Sequence, residues 1–204
     1  MNSDRKGRIH IVAILGSVRE NNYTEKAMRV TLDELESIAD VSVELINPSK
    51  LSLPFPGLRS KSDDAAIMKE AVRKATGVIL STPEYHGSFS SVIKLVIENL
   101  GFPSVLSGKP VALLGVAAGQ IGAIKSLESL RGICSHVGAI VLPGPVSIAN
   151  VQKTFDENGK CTDESVEKRL RDLANNLVAY IMNNICPGIA LEAMVRREES
   201  EPVN

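Results

Sequence analysis

The sequence predicts a doubly wound, three-layer α/β sandwich, a parallel sheet with helices on both faces. Short β-branched apolar runs alternate with longer amphipathic segments along 204 residues. The run Gly77-Val78-Ile79-Leu80-Ser81 carries no polar alternation, as a strand buried on both faces requires. The segments joining the runs have helical period, so they supply the crossovers that parallel strands need. Right-handed crossovers then lay helices on either side of the sheet.

The first run, Ile9 to Leu15, is ended by Gly16-Ser17. A helix follows from about Tyr23 to Ile38, with Ala27, Val30, Leu32 and Leu35 near helical spacing. Val41 to Ile46 alternates as a strand does. Pro48 through Gly57 is a proline-rich loop, and Asp63-Asp64 opens a helix to about Ala75. After the Gly77–Ser81 strand come a helix from Ser90 to Asn99 and a strand from Pro110 to Val116. A helix from Gly122 to His136, a strand from Ala139 to Leu142 and a helix from Glu164 to Ile185 complete five βα units. With no internal repeat or linker, residues 1–186 read as one domain, and Pro187 to Asn204 as a flexible or subunit-contacting tail.

Composition narrows the function classes. The formal net charge is -1, which leaves no basic surplus for a nucleic-acid backbone or an anionic membrane. No apolar run is long enough to span a bilayer, and the polar start MNSDRKGR lacks the apolar core of a secretory signal. Cys134, Cys161 and Cys186 are odd in number and show no CxxC or metal-ligand spacing. They read as incidental thiols in a reducing, cytoplasmic setting, and no metal is expected.

Three strand ends carry unusual chemistry, and ligands in such sheets sit beyond the carboxyl ends of the strands. Gly16 to Thr24 joins small hydrogen-bonding side chains, a helix N-terminus and Arg19, a set suited to a phosphate dianion. It matches neither GxGxxG nor GxxxxGK[ST], so one terminal phosphate fits better than a pyrophosphate or triphosphate. The alternative is that Ser17 and Asn22 cap a helix and Arg19 is solvated. Ser81 to Ser88 combines Pro83, Gly87 and Tyr85, and could meet the edge and face of a planar heterocycle. His86 reads as a surface or subunit-contact histidine in preference to a proton-transfer group. Gly115 to Gly122 is rich in small residues and leaves room for a flat ligand against the backbone, or else is a plain turn.

At these loops the chain resembles the NADPH-dependent FMN reductase family, flavodoxin-like proteins that include azo-, quinone- and chromate-reducing enzymes. The resemblance covers about Ile9 to Ile185. The family's GS-x-R opening is matched by Gly16, Ser17, Arg19, Asn22, Tyr23 and Thr24, its PEY-x-GS motif by Pro83, Glu84, Tyr85, Gly87 and Ser88. Its small-residue segment is matched by Ala117, Ala118, Gly119, Gln120 and Gly122, and Phe155 to Gly159 looks like a late family feature. The chain departs from the pattern at Asn22, where many relatives carry serine. It departs again at Ser90-Ser91, where proline-glycine is frequent, and at Ile97-Glu98-Asn99.

The resemblance implies a five-stranded parallel sheet of order 2-1-3-4-5 and bound FMN. Its phosphate would sit at Ser17, Arg19, Asn22, Tyr23 and Thr24. Its ring would lie against Pro83, Glu84, Tyr85, His86 and Gly87 and against Ala117, Ala118, Gly119 and Gln120. It implies hydride transfer from NADPH or NADH to FMN and onward to a flavin, quinone, azo or metal-ion acceptor, in a homodimer or homotetramer. The flavin carries that chemistry, so no catalytic side chain is required. A non-catalytic FMN-binding electron carrier is the alternative; such carriers are strongly acidic, unlike this chain. A phosphate-binding enzyme without flavin would need an acid–base or nucleophile set that these loops do not display.

Overall fold

Alternate residues of each central strand point to opposite faces, and this alternation builds the layers. A computed structural model describes residues 9–189 and Glu192. Its strands are β1 (Ile9–Ile14), β2 (Val41–Ile46), β3 (Gly77–Tyr85), β4 (Ser88–Phe89), β5 (Pro110–Val116), β6 (Ile140–Val141) and β7 (Val146–Ile148). The main path runs β2-β1-β3-β5-β6, and every pairing along it is parallel. The expected order of the five main strands therefore holds; β4, an antiparallel partner of β3, and β7, which pairs β5, are additions.

Helices α1 (Tyr23–Ser37) and α5 (Glu164–Tyr180) cover one face, and α2 (Asp64–Lys74), α3 (Ser91–Asn99) and α4 (Ile124–His136) cover the other. Ile11, Ala13, Ile79 and Leu114 pack with Met28, Leu35, Leu170 and Leu177 in the first layer. Val12, Ile14, Val78, Leu80 and Leu113 pack with Met68, Val72, Ile93 and Leu130 in the second. Each fully buried aliphatic side chain here contributes about 1.5–3 kcal/mol relative to exposure. The helices start where side chains satisfy their first amides: Asn22 Oδ1 accepts from Glu25 N at 2.8 Å, and Asp163 Oδ1 from Ser165 N and Val166 N at 3.0 and 3.1 Å.

Several boundaries differ from the sequence reading. β3 continues past Ser81 to Tyr85, because its last residues pair with β4 in a hairpin. The helix expected from Gly122 begins at Ile124, since Gly122 holds a left-handed φ of 77°. The fifth strand is broken: Ile140–Val141 pair with β5, Leu142 N still donates to Val111 O at 2.9 Å, and after Pro143-Gly144-Pro145 the pairing resumes at Val146. The last α-helix ends at Tyr180 and passes into a π-helical turn, Ile181–Ile185. Residues 186–189 are helical, whereas the remainder of the expected tail, Glu192 aside, lies outside the described residues.

Candidate active site

Register brings the three strand ends together. Ile14 of β1 is level with Leu80 of β3, and Pro83 of β3 with Val116 of β5. The turns after β1, β3 and β5 therefore share one rim of the sheet. Gly16 sits where these strands are closest: a Cβ there would lie 2.1 Å from the Ser81 carbonyl oxygen. Ser90 binds two of the turns to each other, its hydroxyl donating to the Gly16 carbonyl at 2.5 Å and accepting from Ile93 N at 3.2 Å as the cap of α3.

On the first loop, Ser17 and Thr24 are buried while Arg19 is exposed and has no ion pair among the described residues. The amides of Val18, Tyr23 and Thr24 have no acceptor among the described residues. Those of Tyr23 and Thr24 open α1, where unpaired N–H groups and the helix dipole favour an anion. Asn22 is committed to the chain itself: besides capping Glu25, its Nδ2 donates to the Arg19 carbonyl at 2.7 Å. Tyr23 also packs inward, with its ring 6.4 Å from that of Phe155 and the Lys26 ammonium 5.2 Å from its centroid.

The second segment is a hairpin whose turn holds His86 at φ 50° and Gly87 at φ 72°. Pro83 is buried; Tyr85 and His86 are exposed at the tip. Thr82 Oγ1 accepts from Ser90 N at 3.0 Å and fixes the base of the hairpin. Glu84 reaches away from the tip to helix α4, accepting from Ser126 N at 3.1 Å.

The third loop, Ala117 to Gly122, rests on the segment after β7. Ala117 N donates to Ile148 O at 2.9 Å, Asn150 N to Gly119 O at 3.1 Å, and Gln152 Nε2 to Ala118 O at 3.3 Å. Ala118, Gly119, Gln120 and Ile121 are exposed, and a Cβ on Gly119 would meet nothing within 4 Å. Val18, Tyr85 and Ile121, 48%, 41% and 73% exposed, give the rim apolar character from all three turns.

A profile of the NADPH-dependent FMN reductase family matches residues 9–153, which contain all three turns. The chain belongs to this family. Its members' cofactor is FMN and their electron donor NAD(P)H, and the chain is an enzyme of that type, an NAD(P)H-dependent FMN oxidoreductase. An NADPH azoreductase of Bacillus sp. (strain OY1-2) is 30% identical over 175 residues, 84% of this chain and 92% of the relative. A 2-hydroxy-1,4-benzoquinone reductase of Burkholderia sp. is 26% identical over 180 residues, 85% of this chain and 96% of the relative. Among solved structures, the flavoenzyme NAD(P)H:(acceptor) oxidoreductase FerB from Paracoccus denitrificans superposes with a TM-score of 0.72 at 24% identity, covering 85% of this chain and 97% of that one. The fold is thus the flavodoxin-like sandwich. No helix among the described residues is long and apolar enough to cross a membrane.

The three turns singled out in the sequence lie on this shared rim, but the side chains that support them were not foreseen. Ser147 Oγ accepts from Ala123 N at 2.9 Å, and with Ser90, Ser126 and Asn150 it holds the rim in shape. Only Ser90 gave a signal, as a departure from the family's proline.

Proposed function

We propose that this protein binds FMN across the three turns and oxidises NADPH to reduce a quinone or azo compound. The observation that carries this reading is the common rim on which an anion-suited helix start, an exposed tyrosine hairpin and an open glycine loop stand side by side. The donor set suits a phosphomonoester: the first amides of α1, the Thr24 and Ser17 hydroxyls and Arg19, which has no ion pair among the described residues, offer hydrogen-bond donors and one positive charge. The open backbone at Gly119 suits a flat ring.

FMN held here would supply the redox chemistry between NAD(P)H and the acceptor. The residues bind and orient. Arg19 and the α1 amides anchor the phosphate end, the backbone of Pro83 to Gly87 and of Ala117 to Gln120 borders the ring, the Glu84 carboxylate being turned away to α4, and Val18, Tyr85 and Ile121 offer an apolar approach for a planar acceptor. Asn22 and Tyr23 act from behind, Asn22 by fixing the Arg19 carbonyl and Tyr23 by packing on Phe155. The site belongs to a single domain ending near residue 186, and a cytoplasmic enzyme fits three free thiols.

The protein loaded with FMN should bleach its yellow colour when NADPH is added without oxygen, and recover it when a quinone follows. Steady NADPH consumption with quinone and no added reductase separates this enzyme from an electron carrier. A colourless protein that does not retain added FMN would overturn the proposal. Native mass spectrometry should show a dimer or tetramer.

A further inference from the structure

We propose that Glu84 is a positioning residue whose carboxylate caps helix α4 and so fixes the turn beside the flavin. The inference rests on the functional reading above for the flavin's place, and on the structure alone for the cap. It assigns Glu84 an indirect role, distinct from contact with the ligand.

Helix α4 lacks a cap of its own. Its N-cap position is Ala123, which has no side chain to accept a hydrogen bond, and its first turn contains no acidic residue. The first amides of any helix have no intrahelical partner, and a negative group near them gains from the helix dipole. Two outside groups answer here: Ser147 Oγ accepts from Ala123 N at 2.9 Å, and Glu84 Oε2 accepts from Ser126 N at 3.1 Å.

Glu84 is also the base of the hairpin, paired with Phe89, and the turn beyond it is held in left-handed conformations at His86 and Gly87. A non-glycine residue in that region persists only where its surroundings determine it. Helix α4 lies against this hairpin: besides the Glu84–Ser126 bond, the Lys125 stem passes the turn, its Cδ 3.5 Å from where a Cβ on Gly87 would stand. Because α4 starts directly after the third loop, one carboxylate holds the second and third turns at a fixed separation. A flat ring lying between them needs that separation constant.

The experiment compares Glu84→Ala, Glu84→Gln and, as a control of similar exposure far along α1, Glu34→Ala. FMN affinity is read by fluorescence quenching, and amide exchange over residues 124–127 is read in the FMN-free protein. Glu84→Ala should weaken FMN binding roughly fivefold and speed exchange in the first turn of α4. Glu84→Gln keeps an acceptor oxygen and should restore most of both. Glu34→Ala should leave FMN affinity unchanged. Wild-type affinity in Glu84→Ala, or equal weakening in Glu34→Ala, overturns the positioning role. So does a Glu84→Gln protein as weak as the alanine variant with exchange intact, since the carboxylate would then act on the ligand directly. Failure of the unaltered protein to take FMN would instead sink the functional reading and the positioning role with it; the exchange data would still decide the cap.

Discussion

Arg19 stands exposed on the first loop with no carboxylate bound to it among the described residues, and its value is set by what it can hold. Replacing it with alanine should weaken FMN binding by about 1–3 kcal/mol, the range for losing a hydrogen bond to a charged group, with little change in melting temperature. Flavin fluorescence titration measures this, and unchanged affinity would remove Arg19 from the site. Gly16→Ala tests the opposite case. Its Cβ would meet a backbone oxygen at 2.1 Å, which no side-chain rearrangement can relieve, so denaturant unfolding should show a loss of about 2 kcal/mol or more. At this scale the sequence was legible where chemistry is local. Gly16-Ser17-Val18-Arg19 reads locally as a candidate phosphate loop and Asn22 as a helix cap, whereas Glu84 is spent on an amide that only folding brings near. Glu84 and its partner Ser126 are 42 positions apart, beyond the reach of any spacing rule.

Among the elements, the α3 start is the joint most exposed to test. Ser90 both caps α3 and donates to the first loop, so Ser90→Ala should cost about 1–2 kcal/mol of stability and also loosen FMN binding. Alanine that leaves both unchanged would show that Gly16 and α3 are held by packing alone. Apolar runs spaced by amphipathic segments announced β1, β2, β3 and β5 and the helices between them, because burial on one face or both leaves its mark on the local sequence. Ends were harder. The overshoot of β3 depends on pairing with Ser88–Phe89, and the late start of α4 depends on the left-handed Gly122, whose added Cβ would lie 2.6 Å from Ser147 Oγ. Neither partner is visible from the segment concerned.

For the molecule as a whole, α1 and α5 are bound across their shared face by Glu34, which accepts from Arg171 Nη1 at 3.1 Å and Asn175 Nδ2 at 2.9 Å. The Asn175 hydrogen bond, then that of Arg171, holds the Glu34 carboxyl below its ordinary 4.5. Asp64 is likewise held below 3.8, first by the Ser52 amide and then by Ser62. Both carboxyls bind protons less readily folded than unfolded, so their stabilisation is complete above those ordinary values and is lost as pH falls through the lowered ones. Thermal melts from neutral pH downward should therefore stay level until about pH 4.5 and decline below it, with a shallower decline in Glu34→Gln. An identical slope in that variant would show that Glu34 does not contribute to it. Distant ties of this kind were unreadable beforehand, as was the interruption of the outermost strand at Leu142-Pro143-Gly144-Pro145. That interruption matters beyond the single molecule. Two imino residues lack the amide hydrogen that an incoming extended segment would grasp, and the kink divides the margin into stubs of two and three residues. On this side the sheet offers no template long enough to recruit another chain into a growing fibril.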